Sequence, residues 1–104
     1  MIQVVAVITA KPGMRDAILQ AFRDNVPAVR AEAGCIEYGA AVDVANGPKF
    51  QTAYGPDTLV AIEKWESLEA LKAHAAAPHM AAYAAKTKDM IASRQIHILA
   101  PATP

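Results

Sequence analysis

The stretch Ile62–Met80, IEKWESLEALKAHAAAPHM, joins a strand to two helices, and its reading decides the arrangement of the chain. From Leu59 to Trp65 the pattern has a period of two: Leu59, Ala61, Glu63 and Trp65 share one face, and Val60 and Ile62 the other, as in a β-strand. Ser67 suits the N-cap of a helix over 68–76, because its hydroxyl can accept from an N–H that the first helical turn leaves free. Pro78 cannot continue that helix but fits the first turn of another, so it separates a second helix from His79 to about Ala92. The buried side of that helix is expected to carry Met80, Tyr83, Ala84, Thr87 and Ile91.

Outward from this segment the same rules order the rest. Ile2–Ala10, IQVVAVITA, is rich in β-branched residues and apolar on both faces, which predicts a strand. After the turn at Lys11-Pro12-Gly13, Ile18, Leu19, Phe22, Val26 and Val29 recur at helical spacing to about Ala33, and Pro27 within that run predicts a kink or break near Asn25. Gly34 ends the helix. Cys35–Ala45 alternates as a second strand with Ile36, Tyr38, Ala40, Val42 and Val44 on one face. Asn46-Gly47-Pro48 turns the chain, Phe50–Tyr54 is an optional short strand before a turn at Gly55-Pro56-Asp57, and residues 46–58 make a long connection. Arg94–Leu99 closes the order as a last strand, followed from about residue 100 by a Pro-containing tail expected to fray.

The order β-α-β-β-α-β predicts one α+β, ferredoxin-like domain over residues 1–104, with helices on one face of an antiparallel sheet. The opposite face also carries apolar side chains from strands one and three. Left in water it would form a large patch, so packing of two sheets in a homodimer is expected.

Composition narrows the function classes. The chain has 104 residues, 54% hydrophobic and 19% charged, with 10 basic and 10 acidic side chains and no basic run able to follow phosphates. Nucleic acid is therefore not an expected partner. No apolar stretch approaches the roughly 20 residues of a membrane span, so no membrane partner is expected. One cysteine, Cys35, and a start directly on a strand pattern point to a reducing cytoplasm. GxGxxG and GxxxxGK are missing, so nucleotide cofactors are not implied. There is no HExxH or paired-cysteine spacing, and Pro78 interrupts His74 and His79, so the spacing implies no metal.

The arrangement with chemical potential is Glu63 beside Trp65 on one strand face, followed by Leu68, Leu71, His74 and Ala75 on one side of a helix. If the helix folds back, Trp65 and His74 converge. An indole and an imidazole could then hold a flat aromatic, and the imidazole could move a proton near neutral pH. The same spacing also describes a large core tryptophan and a hydrogen-bonded structural histidine. Glu63 favours a site, since a carboxylate beneath helices needs a partner such as His74 or Tyr38. His79 at a helix start is a turn residue or pocket rim. His97 between Ile96 and Ile98 reads as structural or interfacial, and Cys35 as a small hydrophobe rather than a nucleophile.

The run Gly34-Cys35-Ile36-Glu37-Tyr38, then Glu63-Lys64-Trp65-Glu66-Ser67 through Glu69-Ala70-Leu71 to His74, and then His79-Met80, resembles the antibiotic-biosynthesis monooxygenase family, in particular its quinol monooxygenase branch. The resemblance covers nearly the whole chain. It implies a dimeric α+β barrel with a pocket between helices and sheet in each subunit. It also implies oxygenase chemistry on a quinol, anthrone or similar electron-rich aromatic with dioxygen, often with no metal or flavin cofactor. In that reading Trp65 stacks on the ring, His74 polarised by Glu63 is the base or hydrogen-bond donor, Tyr38 and His79 orient oxygens, and Met80 and Tyr83 complete the substrate pocket. A haem-degrading branch of the same fold uses an Asn on strand one, which IQVVAVITA lacks. Haem binding or degradation is thus the alternative enzyme reading, and a non-catalytic dimeric module for a small aromatic ligand is the alternative outside enzymes.

Overall fold

β1 (Ile2–Ala10) runs through the middle of the sheet in a computed structural model that describes residues 1–104, and its double-sided apolar pattern suits that position. The remaining elements are α1 (Arg15–Arg30), β2 (Cys35–Ala41), β3 (Thr58–Trp65), α2 (Leu68–Ala75), α3 (Pro78–Thr87), a 3₁₀ turn (Lys88–Met90) and β4 (Ile91–Leu99). The strands pair antiparallel in the order β2-β3-β1-β4. The fold is α+β and ferredoxin-like, with the helices on one face.

Val4, Ala6, Ile8 and Ala10 of β1 and Leu59, Ala61, Glu63 and Trp65 of β3 point to that inner face and are buried. Phe22 and Val29 of α1 close over them. Ile18 does the same at the other end, against Ile8, Ala10 and Leu59. Burial of each such aliphatic or aromatic side chain contributes about 1.5–3 kcal/mol.

α1 is continuous past Pro27, against the expected kink or break. Pro27 and Arg23 are both exposed, so the carbonyl that loses its helical donor faces water and the ring meets no packed turn. β2 ends at Ala41 rather than Ala45, and it contains a bulge: Cys35 pairs with Trp65 but Glu37 pairs with Lys64. The extra residue breaks strict alternation, so Tyr38 is buried while Ile36, expected on the same face, is 52% exposed.

Residues 42–57 form no further strand, and Phe50 is 90% exposed. The Asp43 carboxylate accepts hydrogen bonds from the Tyr54 and Gly55 N–H groups at 3.0 and 2.8 Å, using donors that a ladder would need. These same bonds hold the Asp43 carboxyl below its ordinary pKa. α3 stops at Thr87 instead of Ala92, and Ile91, expected on its buried side, pairs in the sheet with Ala10. The Lys11 N–H donates to the Met90 carbonyl at 2.9 Å, so sheet pairing captures the segment that helical periodicity would have extended. Residues 100–104 have no regular structure, and no helix is long and apolar enough to cross a membrane.

Candidate active site

A row of small residues opens space on the inner face: Ala40, Ala61 and Ala6 stand side by side in register across β2, β3 and β1. Above the Ala6 and Ala61 part of this floor lies a cavity of about 500 Å³, walled by Phe22 of α1, Tyr38 of β2, Leu71 and His74 of α2, and Met80 and Tyr83 of α3. On the β4 side Ile96 and Ile98 complete it, each 54% exposed, so it opens toward that edge. Two tyrosines apart, the wall is apolar except at Glu63, Lys72, His74 and Arg94. A concave, mostly apolar space with a few polar groups is the usual form of a small-molecule site.

Three local features hold His74 there. Ser67 caps α2, its Oγ accepting from the Ala70 N–H at 3.1 Å. Gly34, at φ +83°, turns the chain from α1 into β2, and a Cβ there would stand 2.6 Å from Ala70 Cβ. Only glycine permits so close an approach in that backbone conformation. The turn also places Glu32 against α2, with the Cys35 N–H donating to the Glu32 carbonyl at 3.2 Å.

The imidazole of His74 is 5% exposed, its centroid 4.6 Å from the Trp65 ring and 5.5 Å from that of Tyr38. Its Nδ1 is 2.9 Å from Glu32 Oε2, and the same oxygen is 2.8 Å from His79 Nε2. A carboxylate oxygen can only accept, which assigns a proton to His74 Nδ1 and leaves the Nε2 lone pair of the neutral ring free. Nε2 stands 3.9 Å from Glu63 Oε1, beyond hydrogen-bond range. Glu63 is instead paired with Trp65, whose indole N–H donates to Oε1 at 3.0 Å. Burial pushes the Glu63 carboxyl above its ordinary pKa, offset in part by that indole N–H and by His74, while Glu32 adds to the rise.

The residues expected to meet do so unequally. Glu63, His74, Tyr38, Met80 and Tyr83 stand on the cavity wall. Trp65 is fully buried behind it and His79 lies at Glu32, so neither forms part of the wall. Trp65 therefore offers no free face for stacking; it packs on His74 and binds Glu63. Stacking surface on the cavity comes from Tyr38, itself stacked on Phe22 with centroids 4.9 Å apart and planes within 4°. Burial, followed by the Glu63 charge, pushes the Tyr38 phenol far above its ordinary pKa, so it is a hydrogen-bond donor. The Tyr83 hydroxyl is buried with no hydrogen-bond partner, a donor that a ligand oxygen would satisfy. The Cys35 thiol, raised chiefly by burial and then by Glu32 and Glu63, is a poor nucleophile.

Glu32 escaped the reading of the sequence. Its one signal is an acidic side chain just after a helix C-terminus, where the helix dipole disfavours it and another partner is needed. Glu32, His74 and His79 are also the group whose donor atoms, all within 4.8 Å of one another, could hold a metal.

Residues 1–86 match the family model described as antibiotic biosynthesis monooxygenase. The chain belongs to the antibiotic biosynthesis monooxygenase family. It is 43% identical over 103 residues to the probable quinol monooxygenase YgiN of Escherichia coli strain K12, covering 97% of this chain and 98% of that protein. Among solved structures, Rv0793 from Mycobacterium tuberculosis superposes with a TM-score of 0.80 at 26% identity, covering 99% of this chain and 96% of that one. PA3566 from Pseudomonas aeruginosa superposes with a TM-score of 0.81 at 25% identity, covering 98% and 94%. These relatives cover nearly the whole length of this family member.

Proposed function

We propose that the chain is a monooxygenase that uses dioxygen on a quinol, an anthrone or a similar electron-rich aromatic, with no metal or flavin taking part in the step. The observation that carries this reading is His74, with Nδ1 engaged by Glu32 and Nε2 free beside a largely apolar cavity. A histidine oriented by a carboxylate on one nitrogen is prepared to take a proton on the other. Membership of the family and the name of the Escherichia coli relative support the same chemistry.

In this mechanism His74 Nε2 removes a proton from the bound substrate, and the anion passes one electron to dioxygen. The two radicals recombine at a ring carbon, and the resulting peroxide loses water. The substrate gains one oxygen atom and gives up two hydrogens, which leave with the second oxygen as water. Tyr38 and Tyr83 donate hydrogen bonds to substrate oxygens as negative charge develops, and the apolar wall keeps solvent from the peroxide. Met80 and Phe22 fill the space around the ring. Glu63 faces the cavity beside His74, and Trp65 acts from behind as support for both the imidazole and the carboxylate.

Oxygen uptake by metal-free protein with a panel of reduced naphthoquinols, benzoquinols and anthrones tests the reading. Acceleration that His74→Ala abolishes is expected. No acceleration with any of them, or full activity in His74→Ala, sinks it.

The assembly belongs to the same proposal. The outer sheet face presents Val5, Val7 and Val60 half-buried, with Ile62 and Leu99 40% and 46% exposed. A second copy packing face to face would remove them from water, completing a dimeric α+β barrel.

A further inference from the structure

We propose that Glu32, His74 and His79 form a binding site for a divalent transition-metal ion of the zinc type, set behind the cavity wall. Two imidazole nitrogens and one carboxylate oxygen are the donor set that such ions favour over magnesium or calcium. The donors come from three elements: Glu32 from the turn after α1, His74 from α2 and His79 from the first turn of α3. Each is fixed independently, by the Gly34 turn, the Ser67 cap and Pro78 respectively.

The spacing suits an ion. Donors about 2.0–2.2 Å from a metal stand about 3 Å apart when adjacent in an octahedron and about 3.4 Å apart in a tetrahedron. Glu32 Oε2 lies 2.9 Å from His74 Nδ1 and 2.8 Å from His79 Nε2. The two imidazole nitrogens lie within 4.8 Å of each other, so closing around an ion draws them together by as much as about 1.5 Å. One carboxylate and two neutral rings reduce a dication to a single net positive charge, on a site whose His79 side is 29% exposed to solvent. Access does not pass through the cavity, because the His79 side chain is 29% exposed while that of His74 is only 6% exposed.

A second observation points the same way. The other nitrogen of His74 lies 3.9 Å from the Glu63 carboxylate, out of hydrogen-bond range as the ring stands but close enough for a small ring movement to direct the remaining N–H of a metal-bound histidine at that acid. On binding, the ion replaces the protons that both rings direct at Glu32. In the neutral rings these protons move to the opposite nitrogens, so no net proton loss is needed. For His74 that places the proton on Nε2, toward Glu63 and the cavity, and removes the free lone pair. The occupied site thus holds the oxygenase off. This consequence rests on His74 being the base, as proposed above; the site itself does not.

The test is titration of chelator-stripped protein with Co²⁺, followed by its visible d–d absorption, and with Zn²⁺ followed by calorimetry. One ion per chain is expected. Glu32→Gln and His79→Ala should each weaken it at least about 10-fold, with His97→Ala unchanged. Far-UV circular dichroism checks folding, and His79→Gln, at a half-exposed helix start, decides if Glu32→Gln does not fold. No cobalt spectrum and no heat at about 100 µM metal, or equal binding in the Glu32 and His79 variants, overturns the site. With substrate, Zn²⁺ should suppress oxygen uptake and a chelator restore it. Binding through these three residues that leaves oxygen uptake intact keeps the site and removes His74 as base.

Discussion

His74 stands between unlike carboxylates, Glu32 hydrogen-bonded to Nδ1 and the buried Glu63, held by the Trp65 indole, 3.9 Å beyond Nε2. Glu32→Gln keeps the shape but replaces the carboxylate with an amide that can present N–H to the ring, favouring the wrong tautomer. We expect kcat/KM for oxygen uptake to fall by about 10²-fold or more, while KM for the quinol changes little. Glu63 gives a stability test. Because burial raises its pKa in the fold above the ordinary glutamate value, the folded state binds more protons than the unfolded one between the two. Stability from this group is therefore present at low pH and lost as pH rises through the folded pKa. Urea midpoints from pH 4 to 8 should fall for the wild type relative to Glu63→Gln as pH increases; parallel curves would refute this. Trp65→Phe, which removes the indole donor and leaves the carboxylate buried without a partner, should destabilise by about 1–3 kcal/mol.

The turn and cap around α2 set the site more than the helix sequence does. Gly34→Ala combines a left-handed backbone with a Cβ 2.6 Å from Ala70, so it should cost about 1–3 kcal/mol in denaturant unfolding and lower activity by moving Glu32 away from His74. The alanine row on the strands has the complementary role of leaving room. Ala6→Leu extends a side chain into the cavity from its floor, so substrate KM should rise while the His74–Glu32 pair stays intact, measured by oxygen uptake against quinol concentration. The strand and helix periods around this segment were plain in the residues: Leu59 to Trp65 alternates as read, and Ser67 caps as read. The β2 bulge was not, because an inserted residue changes pairing without changing composition.

For the molecule as a whole, the uncovered sheet face gives the prediction. Sedimentation should report about twice the 11.0 kDa chain mass, and Ile62→Glu, which places a charge on the half-exposed outer face, should shift it toward the monomer. A wild-type monomer at micromolar concentration would remove the packed-sheet arrangement.

Element order, the inner face of β3, the Ser67 cap and the resemblance carried by Gly34–Tyr38 and Glu63–His74 were all written in Ile62–Met80 and its flanks, because they depend on local periods and short-range bonds. The partners of the buried acids were not. Glu32 lies 42 residues from His74, and Glu63 chose the indole two residues away over His74 and Tyr38. Such choices depend on which polar atoms the packed chain brings within about 3 Å, a distance that no spacing along the sequence encodes. The place of Trp65 behind the cavity wall was decided in the same way, by where the helices settled over the sheet and where the alanine row left space.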